Sequence, residues 1–210
     1  MKKDIILVGG GGHCKACIDV IELTEKFNII GIIDKKEHLG KKLLSYKIFA
    51  NDDNIPELIK NYDNFLITVG QIKDSLTRVN LYRLLKKYNA SLPIIISPKA
   101  YVSKHSFIEE GTIVMHNAFI NAGAKIGKNC IINSNAIIEH DSNIGDFCHI
   151  STGCIVNGNC VINNNVFLGS NSVLKNNVKV MEDIIIGAGS VVTKDITDNG
   201  VYVGNPAKIV

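Results

Sequence analysis

From Ile108 to Val192 every sixth residue is Ile, Val or Leu, running through Val114, Ile120, Ile126 and Ile132 to Ile186 and Val192. The register reaches back to Val102 and Ile96. Two residues before each aliphatic stop the side chain is usually small, as at Ala118, Ala124, Cys130, Ala136, Ser142, Cys148, Cys154, Cys160, Ser172 and Ser190. A repeat of six predicts a parallel β-helix, which neither the period of an α-helix nor the strict alternation of a strand would give. The aliphatic residue fills the interior, and the small one lets the chain bend beside it. Asn and Gly follow many stops, at Asn121, Gly127, Asn133, Gly145, Asn157 and Gly169. These are expected to be positions of positive φ. Three hexads close one triangular coil, so residues eighteen apart stack at about 4.8 Å.

The chain before this repeat has another rhythm. Asp4 to Val8 is an apolar run that reads as a buried parallel strand. Gly9 to Gly12, then His13, lead into a helical pattern through about Lys26. A strand over Ile29 to Ile33 ends at Asp34. Phe65 to Val69 reads as a strand, followed by Gly70 and Gln71. Asp74 to Tyr88 carries apolar residues at helical spacing, and Leu92 to Ile96 reads as a further strand. Residues 1–95 are therefore expected to form an α/β domain with a short parallel sheet, Rossmann-like in order. Residues 96–210 are expected to form the β-helix, with the aperiodic tail from Asp195 capping its open end.

Composition narrows the function. The chain has 210 residues, 46% hydrophobic, and a formal net charge of +3. Without a basic stripe or interleaved aromatics, nucleic acid is a poor partner. No apolar run spans a bilayer and the N-terminus does not read as a signal peptide, which makes a cytoplasmic location the expectation. Of the six cysteines, Cys130, Cys148, Cys154 and Cys160 occupy the small position of hexads and are expected to be buried free thiols. Cys14 and Cys17 form a C-x-x-C in the first turn of the first helix. With no second pair to complete a zinc site, they too read as structural, and no metal is expected.

Two places carry candidate chemistry. The strand–glycine–helix–strand order resembles a phosphate-binding turn, where backbone N–H groups at a helix start face an anion. Gly9 and Gly11 fit the dinucleotide fingerprint, but Cys14 stands at its third glycine, so an NAD-binding oxidoreductase is disfavoured. Asp34 either meets a ribose hydroxyl or simply caps its strand. His13 closes the turn and is a candidate ligand contact. In the repeat, His140 lies at a corner after Ile138, flanked by Glu139 and Asp141. Gly158 is eighteen residues on, one coil above it. A base beside a bare backbone amide is what acyl transfer requires. The imidazole takes a proton from the nucleophile, and the N–H steadies the oxyanion. Glu139 or Asp141 could fix the imidazole tautomer. His149 reads either as part of the site or as an outward residue stacked between Ile131 and Phe167.

The hexads, the segments Asn133 to Asp141 and Ile144 to His149, and the ending Val203 to Lys208 resemble the sialic-acid O-acyltransferase (NeuD)-like group of left-handed β-helix acyltransferases, to which the PglD-type nucleotide-aminosugar N-acetyltransferases belong. The Gly9–His13 turn and Asp34 resemble that group's N-terminal domain. The resemblance implies an acetyl-CoA-dependent transferase that works as a homotrimer with sites between subunits. It implies His140 as catalytic base with Asp141 as acidic partner, and His149, Asn133 and Gly158 near the acetyl thioester. It places CoA along Gly169, Gly187, Ala188 and Lys194. It places the nucleotide-sugar at Gly11, Gly12, His13, Asp34, Lys35 and Gly70. The substrate it implies is a UDP-4-amino-4,6-dideoxy-sugar used for bacterial surface glycan or glycoprotein biosynthesis. The rivals are O-acetylation of sialic acid and a catalytically inactive nucleotide-binding scaffold.

Overall fold

The computed structural model describes residues 2–210. The chain divides into two compact units: the residues up to Gly70 with Leu76–Ile95, and Gln71–Ser75 with Ile96–Val210.

The first unit contains β1 (Lys3–Val8), α1 (Gly12–Thr24), β2 (Phe27–Ile33), β3 (Lys42–Leu43), β4 (Tyr46–Ala50), α2 (Ile55–Leu58), β5 (Asn64–Ile67) and α3 (Leu76–Lys87). The sheet order is β3-β4-β2-β1-β5, parallel throughout except for the β3–β4 pair. The central strand β1 buries Ile5, Ile6, Leu7 and Val8, which explains its unbroken apolar run. Helix α1 buries Cys14, Cys17, Ile18 and Ile21, the i, i+3, i+4, i+7 stripe of an amphipathic helix. Arg78 of α3 is buried, and its guanidinium donates to the carbonyls of Ile67 and Val69 at 3.3 and 2.6 Å. It thereby satisfies the end of β5. The expected strand over Leu92 to Ile96 is shorter, Ile95–Ile96, and it pairs into the β-helix rather than into this sheet.

The second unit is the left-handed β-helix of two-residue strands. Its first face stacks Ile95–Ile96, Ile113–Val114, Ile131–Ile132, His149–Ile150, Phe167–Leu168 and Ile185–Ile186. Its second stacks Tyr101–Val102, Phe119–Ile120, Ile137–Ile138, Ile155–Val156, Val173–Leu174 and Val191–Val192. Its third stacks Phe107–Ile108, Lys125–Ile126, Asn143–Ile144, Val161–Ile162 and Lys179–Val180. Partners are eighteen apart from coil to coil, as in Ile120↔Ile138 and Ile138↔Val156, and sixteen apart only at the last turn, as in Ile185↔Val201. The aliphatic stops and the small residues two before them form one buried core.

The turn chemistry differs from the expectation. Positive φ occurs at every sixth residue from Gly111 to Gly189, through Asn117, Asn135, Asp141 and Phe147, three residues before each stop. Gly127, Gly145 and Gly169 have no positive φ. They are glycine because the next coil passes too close: a Cβ on Gly145 would lie 2.8 Å from the carbonyl carbon of Asn163, and one on Gly169 would lie 2.5 Å from the Ala188 nitrogen. Corner asparagines supply the left-handed turn, and post-stop glycines supply clearance.

At the C-terminal end Val201–Val203 adds in parallel to Ile185–Ile186, and Lys208–Ile209 folds back antiparallel on it. Tyr202 and Ala207 pack on the end of the core.

Candidate active site

Going round one coil, Asn133 and Ser134 form the corner between the first and second faces. Glu139, His140 and Asp141 form the corner between the second and third. His140 is held by two features of its corner. Asp141, in the left-handed region at φ 60°, turns its carboxylate back so that Oδ2 lies 2.9 Å from His140 Nδ1. A carboxylate only accepts, so Nδ1 carries a proton toward Asp141, while Nε2 faces Gly158. Glu139 is occupied otherwise: its Oε2 accepts from Asn121 Nδ2 at 2.6 Å and from the His140 N–H at 3.4 Å. Of the two candidate acids, geometry selects Asp141 as the imidazole's partner.

The stacked glycine lies where the period of eighteen places it. A Cβ on Gly158 would stand 2.7 Å from His140 Nε2 and 2.8 Å from Cε1, so the imidazole occupies the room a side chain would take. Gly158 is buried, and its N–H has no acceptor among the described residues. The His140 and Asp141 side chains remain 57% and 66% exposed in the single chain, so this corner is open to a ligand or to another protein surface.

His149 does not join this corner. It projects from the first face between Ile131 and Phe167 and meets the Phe167 ring edge-on at 5.2 Å between centroids. It is nonetheless 7% exposed. Its Nδ1 donates to the Gln71 carbonyl at 2.7 Å, and Asn133 Nδ2 donates to its Nε2 at 3.1 Å. Of the residues expected around the thioester, Gly158 therefore stands with His140, whereas His149 and Asn133 stand at the other edge of the second face. Gly169 and Gly187 continue the Asn133 column, and Ala188 follows in the next one. Lys194, exposed, lies in the column of His140 and Gly158 instead.

Gln71 carried no signal of its own in the sequence. Its contacts with the β-helix, to Phe147 and His149, span 76 and 78 residues of chain, and the neighbouring Ser75 reaches Asn165 Oδ1 at 2.9 Å. Only tertiary structure brings these together.

In the first unit, β1 delivers the glycine turn. Gly9, at φ 108°, packs on Val69, and a Cβ on Gly10 would stand 2.7 Å from Asp34 Oδ2. Gly11 and Gly12 have open space before them at the start of α1, which has neither a side-chain cap nor an acid in its first turn. That leaves a helix N-terminus whose N–H groups can take an anion. Gly70 lies beside His13. Asp34 accepts from the Lys35 N–H at 2.9 Å and pairs with His38 at 2.9 Å. Burial raises the Asp34 pKa, but the His38 and backbone hydrogen bonds outweigh it and hold the carboxyl below its ordinary value. The Cys14 thiol is pushed up to about 11, chiefly by burial, and that of Cys17 is raised further for the same reason. Neither is a reactive thiol. Among the described residues no group of three or more His, Cys, Asp or Glu is placed to hold a metal, and no helix is long and apolar enough to cross a membrane.

Residues 4–84 match the PglD N-terminal domain, and residues 105–140, 141–176 and 159–194 match the bacterial transferase hexapeptide of six repeats. The chain belongs to the PglD-type hexapeptide-repeat sugar acyltransferases. It is similar to PerB from Caulobacter crescentus, solved with CoA and GDP-perosamine, at 29% identity and a TM-score of 0.92, covering 99% of this chain and 97% of that one. It is similar to the acetyltransferase domain of PglB from Neisseria gonorrhoeae, solved with acetyl coenzyme A, at 25% identity and a TM-score of 0.92, covering 100% of both. WeeI from Acinetobacter baumannii, 23% identical with a TM-score of 0.81 over 100% of both chains, shares the fold. Comparison with curated protein sequences finds no match. The chain is an acetyltransferase of this family, a sugar N-acyltransferase, and the expectation of acetyl-CoA as acyl donor agrees with these relatives.

Proposed function

We propose that the protein transfers the acetyl group of acetyl-CoA to the amine of a nucleotide-linked deoxy-aminosugar, with His140 as general base. The observation that carries this reading is the His140 imidazole seated over Gly158 with Asp141 on Nδ1. The amine attacks the thioester carbonyl, and Nε2 takes the proton that the nitrogen sheds. The tetrahedral oxyanion is steadied by a backbone N–H, for which Gly158 is the candidate. Collapse expels the CoA thiolate, which takes up a proton on release. No cysteine need form an acyl-enzyme, since all six are buried.

A homotrimer completes the site. The outward positions of the second face, Tyr101, Phe119, Ile137, Ile155, Val173 and Val191, are an apolar ladder that stays partly exposed in the single chain. Three copies packed through this face bury it. The same packing sets the His140 corner of one copy against the Asn133 corner of the next, because these corners flank the packed face. That arrangement supports CoA running along Gly169, Gly187 and Ala188, with Lys194 on the neighbouring corner. The nucleotide of the acceptor is assigned to the turn of Gly11, Gly12 and His13 with Asp34, Lys35 and Gly70.

The acceptor proposed first is a UDP-4-amino-4,6-dideoxy-sugar of surface-glycan biosynthesis. A GDP-linked aminosugar is the second reading, favoured by the likeness to PerB. Release of CoA thiol from acetyl-CoA should follow addition of one nucleotide-linked aminosugar from a UDP, GDP and dTDP panel. Release with sialic acid alone would move the reading to O-acetylation, and release with none would leave a binding scaffold. His140→Ala should lower turnover about 10²–10⁴-fold with the assembly intact; unchanged turnover removes the mechanism.

A further inference from the structure

Two hydrogen bonds fix the directions at the ring nitrogens of His149. The Gln71 carbonyl can only accept, so His149 Nδ1, 2.7 Å away, carries a proton. Asn133 Oδ1 takes the Ser134 N–H at 2.8 Å, which fixes the amide orientation and turns Nδ2 toward His149 Nε2 at 3.1 Å. Nε2 therefore receives a proton rather than offering one, and His149 is neutral with its single N–H spent on Gln71. One Asn133 amide hydrogen goes to the imidazole. The second has no acceptor among the described residues. Asn133 is only partly buried, at the corner beside the Gly169 and Gly187 column.

Gln71 is anchored as firmly as the histidine it holds. It is 3% exposed, and its Nε2 donates to the Phe147 carbonyl at 2.9 Å. Phe147 itself sits at φ 56°, rare for a bulky side chain, and this turns its backbone at the corner just before His149. The Gln71 Oε1 is buried with no donor, so the bond to Phe147 is the hydrogen bond by which the side chain is tied down. Gln71 thus grips the strand on both sides of Cys148, with its side chain on residue 147 and its carbonyl on residue 149.

We propose that Gln71 is a positioning residue of the acyl-donor corner: it locks His149 in the Nδ1–H tautomer, so that Asn133, and not the imidazole, presents the hydrogen-bond donor to the bound acyl group or pantetheine carbonyl. The resemblance set His149 near the thioester as a contact. The hydrogen bonds make it instead a bracket between Gln71 and Asn133. This rests on the acyl-transfer reading above and deepens it.

The test is ¹⁵N spectroscopy of the full chain labelled at histidine, with His149 identified by its loss in His149→Gln, together with steady-state kinetics. Near neutral pH, wild-type His149 should be protonated at Nδ1 and bare at Nε2. Gln71→Met keeps the length and bulk but cannot hold the Phe147 carbonyl. It should let the two neutral tautomers mix and lower kcat about tenfold, with KM for the aminosugar unchanged, the loss of a whole oriented donor being worth about 10²–10³-fold. Asn133→Ala should lower kcat further while His149 keeps its tautomer. His149 protonated at Nε2 in the wild type overturns the proposal, as does Gln71→Met with tautomer and kcat both retained. If Gln71→Met does not fold, the wild-type spectrum and Asn133→Ala still decide, because wild-type kcat in Asn133→Ala is equally fatal. Absence of transfer to any aminosugar would sink the acyl-transfer reading instead and would leave the tautomer result standing.

Discussion

At the scale of single residues, the pairing of His140 with Gly158 was legible because stacking in a β-helix is a matter of counting: eighteen residues separate the two, and the glycine leaves the space that the imidazole fills. Gly158→Ala should fold with near wild-type stability, since the atoms it meets are the end of an exposed, movable side chain. Turnover should nonetheless fall at least tenfold as the imidazole is displaced, on the scale of a misplaced general base; thermal unfolding measured beside the thiol-release assay separates the two effects. Spacing alone left the acid that partners His140 open, because Glu139 and Asp141 are equally near in sequence; only the family resemblance pointed to Asp141. The left-handed backbone at Asp141 decides it. The positive-φ positions were misassigned for a related reason. Asn and Gly recur at two places in each hexad, one for backbone conformation and one for clearance, and composition does not tell them apart.

The pKa of Cys14 gives a further test at this scale. Its thiol is raised from 9.0 to about 11 by burial and by the charge of Asp34, against a hydrogen bond from Thr68 that lowers it. The neutral form is the one the fold favours. Its contribution is therefore complete below pH 9 and is lost as the pH rises through about 11, because the unfolded thiol ionises first. Two pKa units correspond to about 2–3 kcal/mol. Urea midpoints compared between wild type and Cys14→Ala should converge from pH 8 toward pH 11, and parallel curves would contradict the shift.

At the scale of elements, the repeat assigns the interior and also explains why cysteine and serine suit the small position. Cys130, Cys148 and Cys160 each point Sγ at the carbonyl fifteen residues on, at 3.1, 3.0 and 3.1 Å, to Gly145, Asn163 and Lys175. Ser142 and Thr112 do the same with hydroxyls, to Asn157 and Gly127. A small donor thus satisfies a corner carbonyl of the next coil. Ser142→Ala also removes the bond that Oγ accepts from the Cys160 N–H, and should cost about 1–3 kcal/mol in denaturant unfolding, because both backbone groups are left unpaired. Gly169→Ala should cost about 1–3 kcal/mol, because its Cβ meets the backbone of the next coil rather than a movable side chain. Element boundaries were less legible. The strand expected over Leu92 to Ile96 shrinks to Ile95–Ile96, and its pairing partner was decided by the first coil rather than by its own apolar run.

At the scale of the whole molecule, the His140 and Asn133 corners lie at opposite edges of one face, so a chain on its own does not assemble the proposed site. If the proposed trimer packs through this face, Ile155→Glu, in the middle of the apolar ladder, should dissociate it, read by sedimentation, and abolish turnover. His140→Ala and Asn133→Ala should each be strongly impaired in activity alone. After unfolding and refolding together they should regain part of it, because a mixed trimer joins one intact corner from each variant. No recovery would place both corners of each site in one chain.

The amino-acid sequence determined the winding, the buried positions, the division into an α/β part and a repeat, and the stacking of His140 beneath Gly158. Each of these follows from a local period repeated over many coils. Tertiary structure alone decided the hydrogen-bond partners: Asp141 on His140, His38 on Asp34, and Gln71 and Asn133 on either side of His149. Those depend on backbone angles at single corners and on contacts between segments 16 to 78 residues apart, which leave no periodic trace in the chain.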